Sequence, residues 1–203
     1  MDDSKGSPTR MNTLYPIFLK TTQLHFLVVG GGYVALEKLH FLFKSSPDAK
    51  VTLVSPFIRE ETKAFIKGKN VIVIHKKFRT HFLRNKHIVI ATTDNPNVNK
   101  RVYTLCRKKN ILVNVADNPP LCDFYMGGIV TKGNLKIAIS TNGKSPTLAK
   151  RMRQWLEGFL PEETDALLDK LYVYRNRLKG DFEQKITAMN TLTEKLLEQH
   201  DKD

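Results

Sequence analysis

The 203-residue chain reads as an α/β protein: a parallel-sheet domain, then a small β-rich segment, then a helical C-terminal part. Three observations predict this. Short continuous apolar runs recur between amphipathic stretches, the pattern of strands covered on both faces by helices. A glycine cluster, Gly30-Gly31-Gly32, stands between the first such run and the first helical pattern. After Asp117 the alternation stops, and two adjacent strand-like runs give way to helical periodicity alone.

Each element follows in turn. Leu24–Val29 is a β-rich run, and beyond the glycines Leu36, Leu39, His40 and Phe43 recur at helical spacing. Lys50–Ser55 is a second strand closed by Pro56. Asn70–Ile74, His87–Thr92 and Asn110–Val115 are the third, fourth and fifth. Asn97–Lys109 places Val98, Val102, Leu105 and Cys106 on one helical face. Phe124–Thr131 and Asn134–Thr141, joined at Lys132-Gly133, predict a hairpin. Ser145 is a good N-cap and Pro146 suits the first helical position. Leu148, Met152, Trp155, Leu156 and Phe159 then form an apolar stripe that Pro161 ends. Two or three further helices follow. The expected divisions are a flexible tail at 1–13, the sheet domain at 14–116, a central β-rich segment at 117–143 and a helical domain at 144–203.

Composition narrows the function. Apolar residues at 41% and charged residues at 26% describe a globular chain. The longest uncharged apolar run, Phe26–Ala35, is far short of a membrane span, and nothing in the polar N-terminus marks an export signal, so a cytoplasmic protein without membrane contact is expected. Two cysteines, Cys106 and Cys122, form no CxxC pair or disulfide framework. Residues 1–160 hold 26 of the 33 Lys and Arg but only 10 of the 20 acids. Thr62–Thr93 and Phe124–Leu156 contain no acid at all. Such a field suits a polyanionic small molecule or a nucleic acid.

The motifs bear on this choice. Gly30-Gly31-Gly32-Tyr33-Val34-Ala35 fits G-x-G-x-x-A between a strand and a helix. Gly30 allows the tight turn, Gly32 lets the backbone approach a pyrophosphate, and Ala35 lets the helix pack close to the sheet. This is the phosphate-binding turn of a Rossmann-like domain, with Tyr33 and Val34 opening the helix whose N–H groups face the phosphates. The end of the second strand, where an acid usually binds the adenosine ribose, carries Ser55-Pro56 instead, so this rule does not decide between NAD and NADP, and Arg59 nearby could in principle contact a 2′-phosphate. Asp117 follows the fifth strand, at the edge where open α/β sheets place their ligands. Lys144 and Ser145 stand at a helix start, a ready site for a carboxylate or phosphate. The six histidines show no metal-ligand spacing, so no resident metal is expected.

Leu14-Tyr-Pro-Ile-Phe-Leu19, Val28-Val-Gly-Gly-Gly32 with Val34-Ala35 and Lys38, Ala91-Thr-Thr-Asp94 with Asn99, Val113-Asn-Val-Ala-Asp117, Cys122-Asp-Phe124 and Ala138-Ile-Ser-Thr-Asn-Gly-Lys-Ser-Pro146 with Leu148-Ala149 run in order through the chain. Together they resemble the precorrin-2 dehydrogenase family, which is also the N-terminal part of multifunctional siroheme synthases. Departures are modest: a proline usual after the CDF motif is missing around Gly127, a second glycine is Asn142, and an arginine is Lys150.

The resemblance implies NAD-dependent oxidation of precorrin-2, a polycarboxylate tetrapyrrole, to sirohydrochlorin. Some members also insert ferrous iron to give siroheme. It implies a homodimer formed through the central segment. Asp117 matches the family's catalytic aspartate. Gly30, Gly31, Gly32, Tyr33, Val34, Ser55, Pro56, Thr92, Thr93 and Asp94 would line the dinucleotide cleft. Asn114, Lys144, Ser145 and Arg151 would contact substrate. The competing reading is a non-enzymatic nucleotide-sensing module with a basic nucleic-acid surface, which gives Asp117 and the GKSP segment no role.

Overall fold

A computed structural model describes residues 12–198. The expected tail at 1–13 lies outside the described residues except for its last two positions. Five strands, β1 (His25–Val29), β2 (Lys50–Val54), β3 (Val71–Ile74), β4 (Ile88–Ala91) and β5 (Leu112–Val115), form one parallel sheet in the order β3-β2-β1-β4-β5. Phe26 pairs with both Val51 and Ile88, so β1 is the central strand.

Alternation along each strand sends side chains to opposite faces. Phe26, Val28, Val51, Leu53, Ile88 and Ile90 join the core cluster that holds α1 (Tyr33–Ser45) through Ala35, Leu39, Leu42 and Phe43. Leu27, Val29, Val89, Ala91, Val113 and Val115 join the other cluster, with Val102 and Cys106 of α3 (Pro96–Lys108). Burial on both faces is why β1 and β4 read as unbroken apolar runs, whereas the edge strand β3 leaves Ile72 and Val73 exposed. Each fully buried Leu or Val contributes about 1.5–3 kcal/mol relative to exposure. Asn95 caps α3, its side chain accepting from the Asn97 and Val98 amides at 3.0 and 3.2 Å. The short α2 (Glu60–Ile66) links β2 to β3.

The described residues separate into two compact units, one comprising residues 12–127 with 140–146, the other residues 128–139 with 147–198. The second unit contains the antiparallel hairpin β6 (Gly128–Lys132) and β7 (Leu135–Ile139) and the helices α4 (Pro146–Phe159), α5 (Thr164–Arg177) and α6 (Phe182–Glu198), of which α4 begins one residue earlier than the unit. The hairpin turns at Gly133, φ +52°, and Asp165 of α5 accepts from the Asn134 backbone N–H at 2.7 Å. Lys132 pairs with Glu162.

One expectation needs correction. The strand predicted at Phe124–Thr131 begins only at Gly128. Residues 124–127 are held by side chains instead: Phe124 and Met126 pack on the sheet core, and the Asn114 amide donates to the Phe124 carbonyl at 2.8 Å. A parallel-sheet edge residue thus takes the backbone acceptor that a ladder would otherwise use. Among the described residues no helix is long and apolar enough to cross a membrane.

Candidate functional site

The three adjacent glycines do three different things. Gly30 sits at φ +116°, and a Cβ there would stand 2.6 Å from Thr92 Oγ1 and 2.9 Å from the Thr92 carbonyl. Both backbone shape and space therefore demand glycine. Gly31 has no such φ, but its Cβ would meet the Phe57 carbonyl oxygen at 2.5 Å and Ile58 at 2.8 Å. The Gly31 carbonyl accepts from the Arg59 N–H at 3.0 Å and from the Thr62 hydroxyl at 3.3 Å, which fastens the turn to the β2–α2 junction. Nothing in the local motif signals this contact, because its other half lies 26 to 31 residues downstream.

Gly32 is different. At φ −84° and ψ −164° its backbone suits any residue, and an added Cβ would meet nothing within 4 Å. Gly32 is also the N-cap of α1 and supplies no side-chain cap. The N–H groups that open the first turn, those of Tyr33 and Val34 among them, thus receive no bond from a capping side chain. An open cradle ahead of uncapped helix amides fits the pyrophosphate of a dinucleotide.

The remaining positions fall along the same carboxyl edge of the sheet. Thr92 is buried, its hydroxyl donating to the Val29 carbonyl at 3.0 Å beside Gly30. Thr93 donates from its hydroxyl to Asn99 Oδ1 at 2.7 Å, and buried Asn99 returns a bond to the Thr93 carbonyl at 2.8 Å. These bonds fix the loop after β4, where Asp94 is exposed. Ser55 is buried and spends its hydroxyl on the Phe57 carbonyl at 2.6 Å, whereas Pro56 is exposed.

Asp117 stands one strand beyond β4, since the Ala116 amide donates to the Ala91 carbonyl at 2.9 Å. It is exposed and occupies a turn closed by the Asn118 amide on the Val115 carbonyl, at φ +59°. Asp is among the few residues that tolerate this left-handed conformation. β5 is two strand spacings, about 10 Å, from the end of β1.

Asp123, the rival acid of this edge, is committed elsewhere. Its carboxylate accepts from Arg107 at 2.7 Å and from the Val113 N–H at 3.0 Å, so it clamps the outer strand β5. Replacing it with Ala should lower stability by about 1.5–3 kcal/mol through the lost amide bond, the half-exposed arginine adding little. Urea unfolding measures this, and a change below about 0.5 kcal/mol would contradict the clamp.

Asn114 is buried and ties Phe124 as described. Lys144 is exposed and ends a turn in which its N–H donates to the Thr141 carbonyl at 3.0 Å. The two central residues, Asn142 and Gly143, have φ +54° and +75°. Asn is well suited to that backbone, which accounts for its standing where the resemblance leads one to expect glycine. The Thr141 hydroxyl bridges both the N–H and the carbonyl of Ser145. Arg151 lies on α4, where it donates to Gln154 at 3.2 Å; its unit is the second, so it is not grouped with the edge residues. The cysteines offer no thiolate near neutrality: burial pushes buried Cys106 up to about 12 and also raises Cys122.

A five-stranded parallel sheet with an open glycine turn at its carboxyl edge defines a dinucleotide-binding protein of the Rossmann class. Residues 17–128, more than half of the chain, match the family described as "Putative NAD(P)-binding", and residues 132–158 match "Sirohaem biosynthesis protein central". The chain belongs to this NAD(P)-binding family, in the form found with the siroheme-biosynthesis segment.

Among similar proteins, the siroheme synthase of Pseudoalteromonas translucida (strain TAC 125) is 38% identical over 167 residues, 82% of this chain and 35% of that protein. The siroheme synthase of Psychrobacter arcticus (strain DSM 17307 / VKM B-2377 / 273-4) is 34% identical over 179 residues, 88% of this chain and 31% of that protein. The chain thus spans about a third of the length of these curated relatives. A solved structure titled SirC, precorrin-2 dehydrogenase, superposes with a TM-score of 0.69 at 26% identity, covering 88% of this chain and 89% of that one.

Proposed function

We propose that this chain oxidises precorrin-2 to sirohydrochlorin with NAD+. The observation that carries the reading is the meeting, on one sheet edge, of an open pyrophosphate cradle at Gly32 and an exposed carboxylate at Asp117 held in a left-handed turn. The likeness to SirC along nearly the whole chain supports the same chemistry. Bound NAD+ supplies the hydride acceptor. Gly30, Gly31 and Gly32 shape the turn that receives it, the first-turn amides of α1 hold its pyrophosphate, and the loop Thr92–Asp94 borders it. Asp117 accepts the proton that the macrocycle sheds once hydride has left. Lys144, Ser145 and Asn114 are the candidate substrate contacts of this unit, and the basic field of the sequence draws in a polycarboxylate.

Anaerobic incubation with precorrin-2 and NAD+ tests this directly. NADH and the sirohydrochlorin spectrum should rise together. Absence of both from a folded protein that binds NAD+ would sink the reading. Lys144→Ala should weaken substrate binding about threefold to tenfold, the range for an exposed charge-assisted contact, with little change in NAD+ affinity. Equal losses for both ligands would point to damage at the helix start instead.

The same reading includes a cytoplasmic homodimer and, as in some members of the resembled family, insertion of ferrous iron as a second substrate. The β6–β7 hairpin has two strands only and so two open edges, and Leu148, Met152, Trp155 and Phe159 form an exposed apolar stripe on α4. An isolated two-stranded hairpin is marginal, and such a stripe is a common site of subunit contact. In this reading residues 117–143, which hold the hairpin, are the dimerisation segment, and the α4 stripe lies just beyond it.

A further inference from the structure

β2 ends without the acid that usually binds the adenosine ribose. A three-residue assembly stands beside that gap. Arg59, the last residue before α2, lays its guanidinium over the Tyr33 ring, 3.6 Å from the centroid, and donates to the Tyr33 hydroxyl at 2.5 Å. Its Nε and terminal nitrogen also donate to the two carboxylate oxygens of Glu61, at 3.3 and 3.1 Å. The mutual hydrogen bond holds the Glu61 carboxyl below its usual range and the Arg59 guanidinium above its own.

The position of this assembly follows from the backbone. The Arg59 N–H is bonded to the Gly31 carbonyl, and Tyr33 is the first residue of α1. The guanidinium therefore bridges the β2–α2 junction and the start of the phosphate-binding helix. That is the flank on which this fold carries the adenosine ribose, and where an arginine accommodates the 2′-phosphate of NADP. Here the forked face of that arginine is already filled by a carboxylate, the partner its geometry suits best. An arriving 2′-phosphate would have to displace Glu61 and would be repelled by it. A free 2′-hydroxyl meets neither obstacle.

We propose that Glu61, by occupying Arg59 against Tyr33, is the specificity-determining residue that sets a preference for NAD over NADP. This rests on reading the glycine turn as the dinucleotide site. Glu61 thus does the discriminating work from α2 that an acid at the end of β2 does in other members of the fold, acting through the arginine and not on the ribose.

Titration calorimetry with NAD+ and NADP+ on the full chain tests the assignment in Glu61→Gln, Arg59→Ala and the double variant. The ratio of NADP+ to NAD+ affinity should rise about tenfold in Glu61→Gln, the effect of freeing one charge-assisted contact. The rise should vanish in the double variant and shrink with added salt. An unchanged ratio in Glu61→Gln, or a rise that survives loss of Arg59, overturns the proposal. A rise in affinity for both dinucleotides alike also overturns it, because Arg59 would then be reading the shared pyrophosphate. Failure of the underlying site has a separate signature: NAD+ binding that persists in Gly32→Val.

Discussion

Asp117→Ala should still bind NAD+ and the tetrapyrrole and lose about 10²- to 10⁴-fold of its dehydrogenase rate, the usual contribution of a positioned general base. Hydride departure leaves a cation that must shed a proton, and Asp123 cannot take over because both its oxygens are engaged by Arg107 and Val113. The backbone adds a complication that a second variant resolves. At φ +59° an alanine is strained by about 1 kcal/mol, whereas asparagine tolerates that conformation. Asp117→Asn should therefore match wild-type stability more closely while losing the rate to the same degree. Single-turnover NADH formation measures the loss. Normal turnover in either variant would remove Asp117 from the mechanism, and a collapse confined to Asp123→Ala would move the role there.

Gly32→Val should abolish measurable NAD+ binding in a folded protein. The backbone at Gly32 accepts a side chain and a Cβ meets nothing, so the substitution costs the fold little. The valine would fill the space before the α1 amides. Loss of two charge-assisted bonds to the pyrophosphate, about 1.5–3 kcal/mol each, predicts at least about a hundredfold weaker binding. The neighbours give the contrast. Gly30→Ala and Gly31→Ala should lower the melting temperature, because their Cβ atoms would overlap the backbone of Thr92 and of Phe57. Calorimetry and thermal melts on the three variants separate ligand contact from packing. Unchanged NAD+ affinity in a stable Gly32→Val protein would falsify the cradle.

The sheet was legible because burial on both faces leaves an unbroken apolar signature, as in Phe26–Val29 or Ile88–Ala91. The need for glycine at Gly30 was legible because it follows from a local turn. Gly31 was not, since its need for glycine comes from Phe57 and Ile58 after a full helix and strand. Residues 124–127 misled for the same reason: their apolar character serves packing on the sheet, and a side chain, Asn114, captures the backbone. The contact of Arg59 with Tyr33 likewise joins positions whose proximity is decided by the crossover and not by spacing, whereas Glu61 is a local neighbour of Arg59.

The placement of β1 at the centre of the sheet bears on how the chain reaches its native state. Its neighbour on one side, β2, lies 25 residues downstream, but its other neighbour pairs Phe26 with Ile88 across 62 residues. β1 leaves a ribosome well before β4 and thus waits for it before its hydrogen bonds are complete. Closing so long a loop costs chain entropy before the contact repays it, and parallel pairing of this kind is slow. Until then His25–Val29 is an apolar strand with an unpaired edge, the species most open to misassociation. A nascent chain ending before Ala91 should therefore lean on chaperones, and one extended through Val115 should not.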